Sequence, residues 1–144
     1  MAHPRYEEDF YAWTQSTADL LRNKHYNQVD FDHVIEEIES MGISNENQLI
    51  SRLAQLILHL LKWEHQKHLR SRSWDCSIKE QRRRIKRLIK QNPSLKAKIP
   101  SASEEGYGDA ILLFGKETSL DPNDLPKESP YSTEDLLRDD FYPK

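Results

Sequence analysis

The chain has one cysteine, four glycines and no apolar run approaching the roughly 20 residues that a membrane-spanning helix needs. The single Cys76 cannot form an internal disulfide, which excludes a disulfide-stabilised scaffold and favours a reducing compartment. The N-terminal segment MAHPRYEEDF lacks the apolar stretch of a secretory signal. These absences predict a soluble cytoplasmic protein that does not interact with a membrane.

Sequence signatures of common active sites are also missing. There is no Ser/His/Asp order, glycine-rich phosphate loop, CxxC pair, HExxH motif or Glu-x-x-His pair. His65 and His68 are three residues apart and would share a helix face, with Glu64 nearby. Without a recognised ligand set, we interpret both as solvated histidines, and the sequence predicts neither a metal nor a cofactor.

Charge is abundant but unevenly distributed. The formal net charge is −3, yet residues 62–98 hold 13 Lys+Arg and 3 Asp+Glu, a balance of +10. The rest of the chain holds 8 Lys+Arg and 21 Asp+Glu, a balance of −13. Because the two nearly cancel, we favour attraction between parts of one fold over an external charged partner.

Apolar residues recur at helical spacing along most of the 144-residue chain, and no segment alternates as a strand would. We expect Gly42 to end the second helix, Ser44 to begin the third, and Ser77 with Glu80 to begin the fourth as a capping box. A short last helix is expected after Ser132. The predicted helices lie near residues 6–24, 31–41, 45–68, 78–91 and 103–118.

The third predicted helix is apolar over so much of its circumference that it should be the central one. We therefore predict an all-α fold, a compact bundle of five to six helices around a long central helix. Residues 1–144 should form a single domain, on which a loop-rich C-terminal segment, 121–144, packs. The residues expected to be fully buried are Ile38, Leu53, Leu56, Leu60 and Ile85.

Several motifs occur in an order that resembles one family. They are YEEDFYAWT, EEIESMG, HLLKWEHQ, RSRSW, QRRRI followed by NPSL, and the final FYP. From about Tyr6 to Pro143 the chain resembles the domain of unknown function 29 family, uncharacterised helical proteins found mainly in cyanobacteria. The resemblance implies an all-α fold and supplies no activity and no catalytic residues. The chain departs from the family pattern at His33, His65 and His68 and at the two glycines flanking Tyr107.

One arginine is predicted to point inward. On the fourth helix Arg82 falls between Ile78 and Ile89, and a buried guanidinium stays charged and must be paired. The acidic second helix offers partners, with Glu39 preferred over Glu37. His59 lies on the less apolar face of the third helix, and Trp63 lies one turn further on, at the edge of the apolar stripe. The candidate site is thus a buried polar cluster in which ion pairing is favoured over catalysis: Glu37, Glu39, His59, Trp63 and Arg82.

The outer arc of the same helix carries cations that could neutralise phosphates, with Trp74 nearby as a stacking surface. They are Lys79, Arg83, Lys86, Arg87 and Lys90.

Three functions follow from these patterns. The first is a non-enzymatic binding or interaction module with an unidentified protein partner. The second is a nucleic-acid-binding protein that uses residues 79–90. The third is an enzyme built on the Glu/His/Arg cluster, whose catalytic residues the sequence does not identify. Neither the partner nor the oligomeric state can be predicted.

Overall fold

The computed structural model describes residues 3–144, and in that range all regular structure is helical. The predicted all-α class with five helices, one of them long and central, is confirmed. Within the described part of the chain, none of these helices combines the length and apolarity needed to cross a membrane. The helices are α1 (Phe10–Arg22), α2 (Phe31–His65), α3 (Arg72–Gln91), α4 (Ile99–Glu117) and α5 (Thr133–Leu137), with short 3-10 turns between them.

The chain divides into two units, Met1–Ile43 and Ser44–Lys144. The first unit contains α1 and the beginning of α2. Asp9 caps α1, because its side chain accepts a hydrogen bond from Ala12 N at 3.0 Å. Residues 13, 17 and 20 form the buried stripe of α1. Asp30 accepts a hydrogen bond from His33 N at 3.3 Å where α2 begins.

The predicted break between the second and third helices is wrong, because α2 continues from Phe31 to His65. A glycine ends a helix when it adopts the left-handed conformation, and no glycine in the described residues has a positive φ. Gly42 is therefore an ordinary helical residue, and Ser44 lies inside the helix. The predicted burial of Ile38 is also wrong, since 58% of the residue is exposed.

The second unit has a continuous apolar core. The later part of α2 contributes the largest share, and Leu53, Leu56 and Leu60 have no exposed surface. Ile85 of α3 is equally buried, so the predicted burial of these four residues is confirmed. Each such side chain stabilises the fold by about 1.5–3 kcal/mol relative to its exposed state. Further core residues come from α4 and the C-terminal segment, among them Tyr107, Phe114, Tyr131 and Leu136.

Two helices begin earlier than predicted. The side chain of Ser71 accepts a hydrogen bond from Trp74 N at 3.2 Å, so α3 begins at Arg72 and the capping box at Ser77 lies inside it. α4 begins at Ile99 and not at Ser103, with Pro100 in its first turn, where a missing N–H costs no hydrogen bond. The predicted end of α3 at Gln91 and the predicted cap of α5 by Ser132 are both confirmed.

Gly106 allows α4 to approach the backbone of α2 within the second unit. A Cβ atom at this position would lie 3.1 Å from Ala54 N and 3.3 Å from Ile50 O. Those contacts are tighter than ordinary van der Waals distances, and both involve backbone atoms with little freedom to move. Gly108, two residues later on the same helix, would place its Cβ in open space.

These two glycines give a matched test of the helix contact. Gly108→Ala should raise the free energy of unfolding by about 0.5–1 kcal/mol, because alanine has the higher helix propensity. Gly106→Ala should instead lower it, because α4 must move away from α2. Denaturant unfolding of both variants measures the difference. Equal stabilisation by the two substitutions would show that the helices do not meet closely at Gly106.

Candidate functional site

Arg82 is buried as predicted, with only 1% of the residue exposed. Its guanidinium donates hydrogen bonds to four backbone carbonyls of the C-terminal segment. Nε donates to Leu136 O at 2.9 Å, and Nη1 donates to Asp139 O at 3.4 Å. Nη2 donates to Asp135 O at 3.2 Å and to Phe141 O at 2.8 Å. Four donor–acceptor contacts therefore satisfy a buried cation without a directly bonded carboxylate.

The predicted partnership of Arg82 with Glu39 or Glu37 is wrong. Two of its acceptors, Asp135 O and Leu136 O, are at the carboxyl end of α5, where helix carbonyls lack intrahelical donors. The negative end of a helix dipole favours a cation at the same place. Helical spacing indicated that Arg82 faces inward, but it carried no information about which distant segment covers that face.

A second arginine, which the sequence reasoning did not select, holds the end of the chain. Arg70 Nε donates to Trp63 O at 2.7 Å, and Nη2 donates to Lys144 O at 3.2 Å. The guanidinium also lies 4.9 Å from the centre of the Trp63 ring. In the sequence, the only indication of this contact was that RSRSW and the final FYP are both among the motifs that resemble the family pattern.

Tyr142 connects two of the predicted site residues. Its ring centre is 5.1 Å from that of Trp63 and 5.6 Å from the Arg82 guanidinium carbon. The Tyr142 hydroxyl donates to Asp75, and this hydrogen bond, with a further one from Lys79, lowers the pKa of the Asp75 carboxyl. Trp63 and Arg82 therefore meet through Tyr142, while the His59 ring hydrogen-bonds Gln55 O at 2.8 Å within its own helix.

The two predicted carboxylates belong to the first unit. Glu39 is exposed, and Glu37 accepts a hydrogen bond from the Tyr6 hydroxyl, which raises the pKa of Tyr6 to about 12. The Tyr6 ring stacks on His33 with 4.0 Å between ring centres. The Tyr6–Glu37 contact joins residues 31 positions apart and was not predicted from the sequence.

His33 lies between two carboxylates in the first unit. Its Nδ1 faces Asp30 Oδ2, and its Nε2 is 3.3 Å from Glu7 Oε1. The hydrogen bond to Asp30 is the largest cause of the raised pKa of His33. Both ring nitrogens therefore favour the protonated form, which cannot accept a proton as a general base. The same residues line a pocket of about 310 Å³, together with Trp13 and other residues of the unit.

The histidines of the second unit do not share one helix face as predicted. α2 ends at His65, and His68 lies in the 3-10 turn Lys67–Leu69. His65 Nε2 is 3.4 Å from Glu64 Oε2. Within residues 3–144 no group of three or more His, Cys, Asp or Glu side chains is arranged to hold a metal ion.

The cations of the predicted basic face are exposed on α3: Lys79, Arg83, Lys86, Arg87 and Lys90. Two of them are paired by carboxylates of the same unit. Lys79 Nζ is 3.0 Å from Asp75 Oδ2, and Lys86 Nζ is 2.6 Å from Asp139 Oδ1. These contacts reduce the positive charge that the row presents to a polyanion.

A hydroxyl-rich pocket of about 530 Å³ lies in the second unit beside Tyr107 and Tyr131. The Tyr131 hydroxyl donates to Glu64 Oε1 at 3.0 Å, and the Tyr107 hydroxyl donates to Pro126 O at 2.5 Å. Burial raises the pKa of Tyr131 and keeps its hydroxyl protonated. Both phenols therefore serve as structural donors.

The first unit exposes an apolar stripe on α2. Phe31, Ile35 and Ile38 are 46%, 52% and 58% exposed and follow the i, i+4, i+7 spacing of one helix face. Two exposed carboxylates border this stripe on one side of the same helix, those of Asp32 and Glu39.

Comparison with known proteins gives one match. The family model described as "Domain of unknown function DUF29" matches residues 5–142. No curated protein and no solved structure matched the chain.

The Arg82 contacts predict a large effect of a single substitution. Arg82→Met should lower the free energy of unfolding by at least about 3 kcal/mol, because four backbone carbonyls lose a charged donor that is itself buried. Arg83→Met removes the same charge from an exposed neighbour and should change the free energy of unfolding by less than about 1 kcal/mol. Denaturant unfolding checks both values, and equal midpoints for the two variants would contradict the observed contacts.

The His33 contacts predict a pH effect. Asp30→Asn should lower the pKa of His33, measured by NMR titration, because the Asp30 hydrogen bond is its largest cause. A raised folded-state pKa stabilises the protein fully below the ordinary histidine value of 6.5, and this stabilisation is lost as pH rises through the folded-state pKa. Asp19→Asn, which removes an exposed carboxylate paired with Arg22, is the control. Identical His33 titration in all three proteins would refute this account.

Proposed function

The chain belongs to the family described as domain of unknown function DUF29, and from this premise we propose that it is a non-enzymatic protein-interaction module. Its binding surface is the apolar stripe of Phe31, Ile35 and Ile38. Its partner is a basic amphipathic helix of another protein. The exposure of three large apolar side chains on one face of α2 carries the proposal.

Exposed apolar side chains in a continuous helical stripe commonly mark a contact surface. Single exposed leucines or isoleucines are ordinary on protein surfaces, but the stripe presents three on consecutive turns of one helix. An amphipathic helix that lays its apolar face on these residues would remove them from water.

Charge defines the partner further. The first unit, Met1–Ile43, holds 3 Lys+Arg and 9 Asp+Glu, a balance of −6. Asp32 and Glu39 are exposed beside the stripe and have no ion-pair partner among the described residues. A partner with lysine or arginine flanking its apolar face would meet these carboxylates, which favours correct orientation and fast association.

The contacts of the polar residues favour this function over an enzyme. Arg82 is buried and its guanidinium is occupied by four carbonyls, so it is not presented to a substrate. His33 faces carboxylates at both ring nitrogens. A cytoplasmic location is part of the proposal, and the free cysteine Cys76 is compatible with it.

Nucleic-acid binding by the basic face of α3 is the second candidate. Arg83, Arg87 and Lys90 are exposed there and have no ion pair within residues 3–144. The pairing of Lys79 and Lys86 makes this row less suited to a polyanion than the sequence alone indicated. Binding of this kind would weaken steeply with salt.

The proposal is tested with a synthetic helical peptide that has leucines on one face and lysines beside them. The wild-type protein should bind it, and the double variant Ile35→Asp with Ile38→Asp should weaken binding at least about tenfold, a loss of about 1.4 kcal/mol. Leu112→Asp, at an exposed position on α4 in the second unit, is the matched control and should leave binding unchanged. Fluorescence anisotropy gives the dissociation constants.

Two outcomes would overturn the proposal. If the peptide does not bind, or if it binds the wild type and the double variant equally well, the stripe is not its contact surface. A dimer in sedimentation that dissociates in the double variant would identify a second copy of the chain as the occupant. Circular dichroism of each variant confirms folding, which should persist because the replaced side chains are exposed.

A further inference from the structure

Three arginines line a small pocket of the second unit. The pocket measures about 170 Å³. No motif in the sequence indicated it, because its residues come from two helices. It is lined by three arginines, two glutamines and one leucine: Arg52, Arg84, Arg87, Gln48, Gln91 and Leu88.

Two helices contribute the residues that line the pocket. Gln48 and Arg52 are one turn apart on α2, and Arg84, Leu88 and Gln91 follow one another by single turns on α3. Leu88 is only 8% exposed and belongs to the core, so α3 is fixed at this point. Core packing therefore fixes the backbone from which the polar groups extend.

The pocket carries uncompensated positive charge. Arg84 is paired with Glu80, with 2.8 Å between Nη2 and Oε1. Arg52 and Arg87 have no ion pair among the described residues. Three cations facing one carboxylate leave an excess of two positive charges. Like charges held close together are unfavourable, and a bound anion would relieve their repulsion.

We propose that this pocket binds the phosphate group of a small phosphomonoester. The planar guanidinium fork donates two parallel hydrogen bonds to phosphate oxygens, which favours arginine over lysine at such sites. The dianionic charge of a phosphomonoester matches the excess of two positive charges. The amides of Gln48 and Gln91 add uncharged donors.

A phosphodiester backbone fits the arrangement less well. Each of its phosphates carries one charge, and successive phosphates require a row of cations. On α3 that row is interrupted, because Lys79 and Lys86 are paired with Asp75 and Asp139. The arginines of the pocket instead line a single cavity. The site is independent of the apolar stripe, and it extends the proposed function without relying on it.

The experiment uses inorganic phosphate as the probe with the full chain, measured by calorimetry against sodium chloride at the same ionic strength. Arg52→Gln and Arg87→Gln should each weaken phosphate binding at least about tenfold, because each removes charged hydrogen bonds. Arg83→Gln, exposed on the same helix outside the pocket, is the matched control and should change it less than about twofold. Adenosine monophosphate should bind with the same dependence on the two pocket arginines.

Three results would overturn the site. The first is no phosphate binding beyond the effect of chloride. The second is equal weakening by Arg52→Gln and Arg83→Gln. The third is tighter binding of an oligothymidine than of phosphate, with a dependence on Arg83 but not on Arg52. That result would indicate that the cations of α3 bind a nucleic acid. The double variant at Ile35 and Ile38 should bind phosphate normally, so failure of the peptide experiment and failure of this one remain distinct.

Discussion

A buried guanidinium determines how the end of the chain is placed. Arg82 lies inside the second unit, where a charge without partners would be strongly unfavourable. Four backbone carbonyls at and beyond the carboxyl end of α5 accept hydrogen bonds from this guanidinium and stabilise its charge. These hydrogen bonds attach the C-terminal segment to α3. Tyr142 and Arg70 extend the same attachment, through Asp75 and the last carbonyls of the chain.

The contacts of Arg82 also change how the polar residues of the second unit are interpreted. A buried arginine near a histidine and a tryptophan is a reasonable candidate site, because functional sites often contain charged groups held in apolar surroundings. Here the donors of Arg82 are directed to backbone, and Trp63 forms a surface for Arg70 and Tyr142. The contacts of Arg82 and Trp63 therefore indicate that both residues stabilise the fold. The groups that remain accessible to a ligand are on the surface.

The two units differ in what their apolar residues do. The main core cluster draws on residues 49–136 and lies wholly in the second unit. The first unit is short, and a short segment buries a small fraction of its apolar surface. Its α2 stripe stays exposed, while its polar groups pair locally around His33. An exposed apolar stripe in an acidic unit and an arginine pocket in a basic one give the chain two chemically different surfaces.

Local sequence determined the helical class, the buried leucines of α2, the cap of α5 and the inward direction of Arg82. Each of these depends on spacing within a few turns of one helix, and such spacing can be read directly from the residues. The helix boundaries predicted at Gly42 and Ser77 are wrong, because a capping residue ends or begins a helix only where the backbone already departs from helical geometry. Ile38 misled because periodicity identifies an apolar face but not whether another element covers it.

Tertiary structure alone decided the partners. Arg82 and Leu136 are 54 residues apart, and Tyr6 and Glu37 are 31 apart. Arg52 lines a pocket with Arg84 and Arg87 because α2 and α3 both border it. A helical wheel gives the direction of a side chain from its own helix. The atom that it meets depends on how distant segments pack, and packing is a property of the whole fold.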